Sequence, residues 1–234
     1  MKKGLCHLLF CVDRSGSMSS IAKDMIGGYN EFIRKQKEIP SECFVSFYQF
    51  DDVYEAIFER INLQDVKDLD SKTYSPRNST ALYDALGRTI KEYGEYLSSI
   101  PEKERPERIL FVTITDGLNN ASTHYTLEQV RNAIKHQTEA YKWDFVFLGS
   151  NIDAWDTGQS LGVSAQSVLQ FASVGPSVGA AFGALSKGST NYRISAAKST
   201  YAFDKEDREE QDEFLDDTLK SKNKQKQEEL DKKV

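Results

Sequence analysis

Phe10-Cys11-Val12-Asp13-Arg14-Ser15-Gly16-Ser17-Met18 closes an apolar run that begins at Leu5. Leu5–Val12 is apolar on both parities of a two-residue period, the pattern of a strand covered on both faces in the middle of a parallel sheet. The run stops at Asp13, and Asp-x-Ser-x-Ser then places one carboxylate and two hydroxyls on a single tight loop that turns at Gly16. All three are hard oxygen donors of the kind that Mg²⁺, Mn²⁺ or Ca²⁺ takes.

Outward from this stretch, strands and helices alternate. Met18–Glu38 carries Met18, Ile21, Met25, Tyr29, Phe32 and Ile33 at helical spacing, and Pro40 closes it. Cys43–Asp51 and Val53–Arg60 read as two strands close in sequence, an antiparallel pair at one edge. Residues 61–79 are irregular. Ala81–Ser98 is helical through Leu82, Leu86, Ile90, Tyr93 and Leu97, and Arg108–Thr115 is a second strand apolar on both faces. Thr126–Tyr141 is a helix with Thr126 as N-cap and Gln129 three residues on. A strand over Trp143–Gly149, a short helix over Ile152–Leu161, a strand over Val168–Ala172 and a helix over Ser177–Ser186 complete the series. The expected architecture is an α/β fold: a doubly wound, mostly parallel, Rossmann-like sheet with one antiparallel edge strand and helices on both faces.

The domain is expected to span residues 1–200. Residues 201–234 form a charged C-terminal tail, either a solvated helix, a disordered segment or a docking helix, in which only Phe214, Leu215, Leu219 and Leu230 offer apolar anchors. A net charge of −6 and a pI near 5.3 argue against non-specific nucleic-acid binding, which needs clustered positive charge. No apolar run approaches a membrane span, and the short segment after Met1-Lys2-Lys3 reads as a strand rather than a signal peptide. Cys6, Cys11 and Cys43, odd in number and without CxxC spacing, fit buried reduced thiols, so the expected compartment is the cytoplasm.

Two more segments match the first loop. Ser79-Thr80-Ala81-Leu82-Tyr83-Asp84 opens a helix, and Ile114-Thr115-Asp116-Gly117 ends a buried strand. With Asp13-Arg14-Ser15-Gly16-Ser17 they resemble the von Willebrand factor A family and its metal-ion-dependent adhesion site: Asp-x-Ser-x-Ser, then a distant Thr, then a distant Asp. The resemblance covers residues 4–172 and is most specific at Phe10–Met18, Ser79–Leu86 and Phe111–Asn119. It implies a divalent cation, Mg²⁺ or else Mn²⁺ or Ca²⁺, held directly or through water by Asp13, Ser15, Ser17, Thr80 and Asp116. It also implies an open coordination position that engages an Asp or Glu of a partner protein. Bacterial proteins of this type often work beside an ATPase or in a larger assembly, and with no G-x-x-x-x-G-K-[ST] loop in this chain any ATPase is a separate subunit.

Around these residues, Asp84 reads as a helix N-terminal charge or a hydrogen-bond acceptor for a loop. Asn119, Asn120, Ser122 and His124 read as rim residues for partner contact or loop hydrogen bonding. Arg14 and Arg77 are either solvated surface arginines or a steering pair for an acidic ligand, and Asp153, after Asn151, reads as a helix cap in preference to a metal ligand. The competing functions are a structural, metal-stabilised scaffold subunit and a metal-dependent hydrolase. The hydrolase would need a base: His7 lies inside a strand and His124 is the sole plausible candidate, neither Ser15 nor Ser17 sits in a G-x-S-x-G elbow, and the chain is expected not to be an enzyme.

Overall fold

The computed structural model describes residues 1–150, 153–195 and 200–232, so Asn151 and the first residue of the expected helix at Ile152 lie outside it. Six strands form one sheet: β1 (Lys2–Asp13), β2 (Cys43–Phe50), β3 (Tyr54–Asn62), β4 (Pro106–Thr115), β5 (Asp144–Ser150) and β6 (Val168–Phe171). Their spatial order is β3-β2-β1-β4-β5-β6. Only β2 and β3 pair antiparallel, at one edge. From β1 the chain moves outward to β2 and β3, then returns to the other side of β1 for β4. Sequence reversal at β1 and β4 makes their carboxyl ends the topological switch point, where an open α/β sheet presents its ligand crevice.

The two parities of β1 serve two cores. Leu8, Phe10 and Val12 face helices α1 (Ala22–Lys37) and α5 (Gly175–Ile194), with Tyr29, Phe32 and Phe182 around them. Leu9 and Cys11 face the layer of α2 (Leu82–Ser99), α3 (Leu127–Tyr141) and α4 (Ala154–Ser160), with Leu86, Tyr93, Trp143 and Trp155. A strand buried on both sides cannot alternate in polarity, which is why Leu5–Val12 does not. Helices α1 and α5 pack so closely that a Cβ on Gly28 would strike the Phe182 ring. The first turns after the Asp13 loop are a 3-10 segment over Gly16–Ile21, and the α-helix starts only at Ala22. Helix α3 has the expected capping box between Thr126 and Gln129.

Helix α5 extends beyond the expected Ser177–Ser186 on both sides. Its Gly, Ser and Ala content blunts the apolar period, and its C-terminal carbonyls at Tyr192 and Ser195 are bound by the guanidinium of Arg108. The charged C-terminal segment is helical, as α6 (Lys205–Asp212) and α7 (Asp217–Asp231). Tyr201 and Phe203 enter the first core. Arg208, also buried, donates to the carbonyls of Phe203, Asp204 and Gln166 and stacks over Trp155. Among the described residues no helix is long and apolar enough to cross a membrane, and all three cysteines are buried free thiols.

His7 illustrates how the sheet treats a titratable side chain. Its ring is fully buried, with Nδ1 2.6 Å from the Tyr93 hydroxyl and Nε2 3.0 Å from the Ser46 hydroxyl. Burial, aided by the positive charge of Arg60, pushes its pKa down to about 3. The folded protein therefore holds His7 neutral while the unfolded chain takes up a proton below pH 6.5, so stability falls as pH falls through that value. Urea unfolding at pH 7 and pH 4 should differ by about 3 kcal/mol from this residue alone. His7→Gln should lose that part of the acid sensitivity; an unchanged pH dependence would contradict the assignment.

Candidate metal centre

Asp13 is the last residue of β1 and Asp116 follows the last residue of β4, so adjacent parallel strands bring the two carboxylates to one crevice. Asp13 is wholly buried. Its Oδ1 accepts the Ser15 amide at 2.6 Å and its Oδ2 accepts the Thr115 hydroxyl at 2.6 Å. The first bond is the Asx turn that folds the loop back and directs both serine hydroxyls to the same side. Ser15 Oγ lies 3.1 Å from Ser17 Oγ, which donates to Asp116 Oδ1 at 2.7 Å. Asp116 Oδ2 is buried with no hydrogen-bond partner.

Thr80 comes from the irregular segment ahead of α2. Its amide donates to the Asn120 side chain at 2.8 Å, and its carbonyl accepts the amides of Asn120 and Ala121 at 3.0 and 3.1 Å. These bonds seat the threonine over Gly117: a Cβ there would lie 3.3 Å from Thr80 Oγ1 and 4.0 Å from Ser17 Oγ. Gly117 thus leaves room for two hydroxyls from different loops. The five expected residues are gathered in one place, with Ser17 exposed and Asp13, Ser15, Thr80 and Asp116 buried.

The electrostatics are those of a site short of positive charge. Burial first, and the charge of Asp116 in addition, raise Asp13 to about 6 against its hydrogen bonds from Thr115 and Ser15. Burial raises Asp116 as well, against its bond from Ser17. Arg14 does not relieve them. Instead of standing in solvent or at the rim, it is 4 % exposed and turned into an ion-pair cluster, 2.7 Å from Glu55 and 3.4 Å from Asp51. Arg77 joins the same cluster at 2.6 Å from Asp51 and 3.3 Å from Glu55, so the expected steering pair is already engaged by carboxylates of this chain. Two carboxylates, an unpartnered buried carboxylate oxygen and three hydroxyls fit a hard divalent cation by the chemistry of the donor set. Among the described residues no group of three or more His, Cys, Asp or Glu is placed to hold a metal ion.

Asp84 accepts the amides of Thr123, His124 and Tyr125. Asn119 accepts from Tyr83 N and Ser122 Oγ, and Ser122 accepts the Asp84 amide. Asn119, Asn120 and Ser122 thus tie loops together. Asp153 caps α4 through the Asp156 amide and pairs with Lys222. Sequence reasoning placed Thr115 in the Ile114–Gly117 segment but gave no role to its hydroxyl, which orients Asp13. It missed Asp51 and Tyr74, which carry no motif.

Solved structures with this architecture share little sequence with the chain. The vWF domain of the type V pili tip protein Mfa5 from Porphyromonas gingivalis matches with a TM-score of 0.57 at 10% identity, over 83% of this chain and 98% of its own. The fold is the von Willebrand factor A fold. Proximal thread matrix protein 1 from the mussel byssus, in a structure with a zinc-occupied MIDAS motif, superposes on this A fold with a TM-score of 0.55 at 16% identity, over 80% of this chain and 46% of that one. The pilus adhesin SpaC from Lactobacillus rhamnosus GG, in an open conformation, gives a TM-score of 0.60 at 13% identity over 82% of this chain and 30% of its own. The chain thus spans less than half the length of the mussel protein and of the adhesin. No family model matches the sequence, and no curated protein matches it.

Proposed function

We infer that this protein is a divalent-cation-dependent protein-binding module. Asp13, Ser15, Ser17, Thr80 and Asp116 hold one Mg²⁺, or Mn²⁺ or Ca²⁺, directly or through water. The observation that carries the reading is the buried, unpartnered Asp116 Oδ2 beside three hydroxyls. With only two formal negative charges around it, a bound dication would stay electrophilic and attract an acidic group of a partner.

The chain's own residues supply the rest. Thr115 and the Ser15 amide fix the Asp13 carboxylate, Ser17 orients Asp116, and Thr80 links a separate loop to the site. Binding needs no bond cleavage, and the hydroxyls of Ser15 and Ser17 bond to each other and to Asp116. The mussel protein with its zinc-occupied MIDAS motif and the pilus adhesin support the interaction role by analogy of fold. The partner presents an Asp or Glu and is an assembly subunit or a separate ATPase. Three free buried thiols support a reducing, cytoplasmic setting.

Capture of the partner on immobilised protein tests the reading. Retention in Mg²⁺, release by EDTA and loss in Thr80→Ala are expected, with circular dichroism unchanged by EDTA. Unfolding on chelation would favour a metal-stabilised scaffold instead, and retention indifferent to EDTA and to Thr80→Ala would place the partner on another surface.

A further inference from the structure

The segment 74–81 has no regular secondary structure, yet it is fastened on three sides. Toward the Asp13 loop, the Tyr74 hydroxyl donates to the Asp13 carbonyl at 2.6 Å, the Arg77 amide to the Arg14 carbonyl at 2.7 Å, and the Gly16 amide to the Asn78 carbonyl at 3.0 Å. Toward the β2–β3 turn, the Ala81 amide donates to the Asp51 carbonyl at 2.8 Å and Asn78 Nδ2 to Asp52 at 2.9 Å. Toward the Asp116 loop, Thr80 exchanges bonds with Asn120. One strip therefore touches every loop of the candidate site and carries one of its five residues.

Tyr74 is the deepest of these fastenings. It is 2 % exposed, and its ring packs in the first core beside Val12, Met25 and Leu69. Pairing of β1 with β4 ends at Val12–Ile114, while pairing with β2 runs on to Asp13–Phe50 and the Arg14 amide donates to the Phe50 carbonyl at 2.8 Å; the phenol holds the other end of that same peptide, the Asp13 carbonyl. The carbonyl belongs to the peptide between Asp13 and Arg14, and its orientation sets the direction in which the chain leaves the strand toward Ser15 and Ser17. A rigid aromatic anchored in the core fixes that direction more firmly than a loop residue could.

We propose that Tyr74 is a positioning residue of the metal site: its hydroxyl locks the Asp13–Arg14 peptide so that the Asp13–Ser17 loop stays arranged for the cation. The inference rests on the divalent-cation reading of the site. Tyr74 does not touch the cation; it acts through the Asp13 backbone. Coupling of this kind is reciprocal, so a bound cation must tighten the strip by the factor that Tyr74 contributes to cation affinity.

Calorimetric titration with Mn²⁺ of wild type, Tyr74→Phe and Tyr29→Phe is the test. Tyr29 is the control because its hydroxyl is buried in the same core without a partner. Tyr74→Phe should bind Mn²⁺ about ten-fold more weakly than wild type, the usual scale for losing a group that orients a ligand. Tyr29→Phe should titrate like wild type. A lowered Tm in Tyr74→Phe with unchanged Mn²⁺ affinity would overturn the proposal, because the phenol would then serve the fold alone. Should Tyr74→Phe be too unstable to titrate, the wild type decides: saturating Mg²⁺ should slow exchange of the Tyr74 hydroxyl proton, which reports the bond to the Asp13 carbonyl itself, about ten-fold by reciprocity, and unchanged exchange would overturn it. A wild type that binds no Mn²⁺ is a different failure: it removes the divalent-cation reading itself, and this inference with it.

Discussion

Asp13→Asn will melt about 5 °C above the wild type in metal-free buffer at pH 7.5, and it will no longer bind Mg²⁺ or Mn²⁺. The gain follows from the sign of the pKa shift. Burial holds the Asp13 carboxyl at about 6 in the fold, above the ordinary Asp value. A raised carboxyl pKa means that the folded state binds the proton more tightly than the unfolded chain. Its stabilising contribution is present below about pH 4 and is lost as pH rises through 6. At pH 7.5 the ionised carboxylate costs the metal-free fold about 3 kcal/mol, an upper figure because an uncharged amide recovers only the electrostatic part. Asparagine retains the oxygen that accepts the Ser15 amide. Scanning calorimetry at pH 7.5 and pH 4 should show the advantage of Asp13→Asn shrinking toward zero at the lower pH. A variant less stable than wild type at both values would mean that Asp13 is a structural acceptor and not a site held ready for a cation.

Arg208→Leu will lower stability by about 3 kcal/mol and Tm by about 10 °C. The guanidinium lies inside the protein, spanning the carbonyls of Phe203 and Asp204 at 2.7 and 3.0 Å and that of Gln166 at 2.9 Å. Its loss leaves an aliphatic stem against buried carbonyls and removes the cation from the face of Trp155. Trp155 in turn donates to Asn223 of α7 at 2.6 Å, so the substitution should also loosen the last helix. Thermal melts and proteolysis of residues 205–232 test this together. A solvated tail would leave both unchanged.

Much of this was legible in the sequence, for definite reasons. Leu5–Val12 and Arg108–Thr115 are short, apolar on both parities and bounded by polar loops, the pattern of strands buried on both faces, and such strands occupy the centre of a parallel sheet. In the strand order that the resemblance implies, the polar residues directly after them fall side by side at one edge, which is where Asp13 and Asp116 stand. The Thr126–Gln129 box and the Asp153 cap are local devices, readable within three residues. Long-range pairing of charges was not readable. Arg14 sits in the motif loop and looks exposed, but Asp51 and Glu55 from the β2–β3 ribbon draw it inward. Tyr74 lies in a stretch without period or motif, and only the folded chain brings its hydroxyl to Asp13. Residues 201–232 read as charge because Lys, Glu and Asp dominate them, whereas Tyr201, Phe203 and the buried Arg208 do the packing.

The proposed cation site draws five side chains from three loops. The measurement that tests it most directly is calorimetric titration of the metal-free protein with Mn²⁺, run in parallel with Asp116→Ala. Asp116 supplies the buried oxygen that lacks a partner, and its removal leaves both strands and their pairing untouched. One Mn²⁺ per chain is expected for the wild type, no detectable binding by Asp116→Ala, and metal-free melting temperatures within a few degrees of each other. Equal Mn²⁺ binding by the two proteins would contradict it.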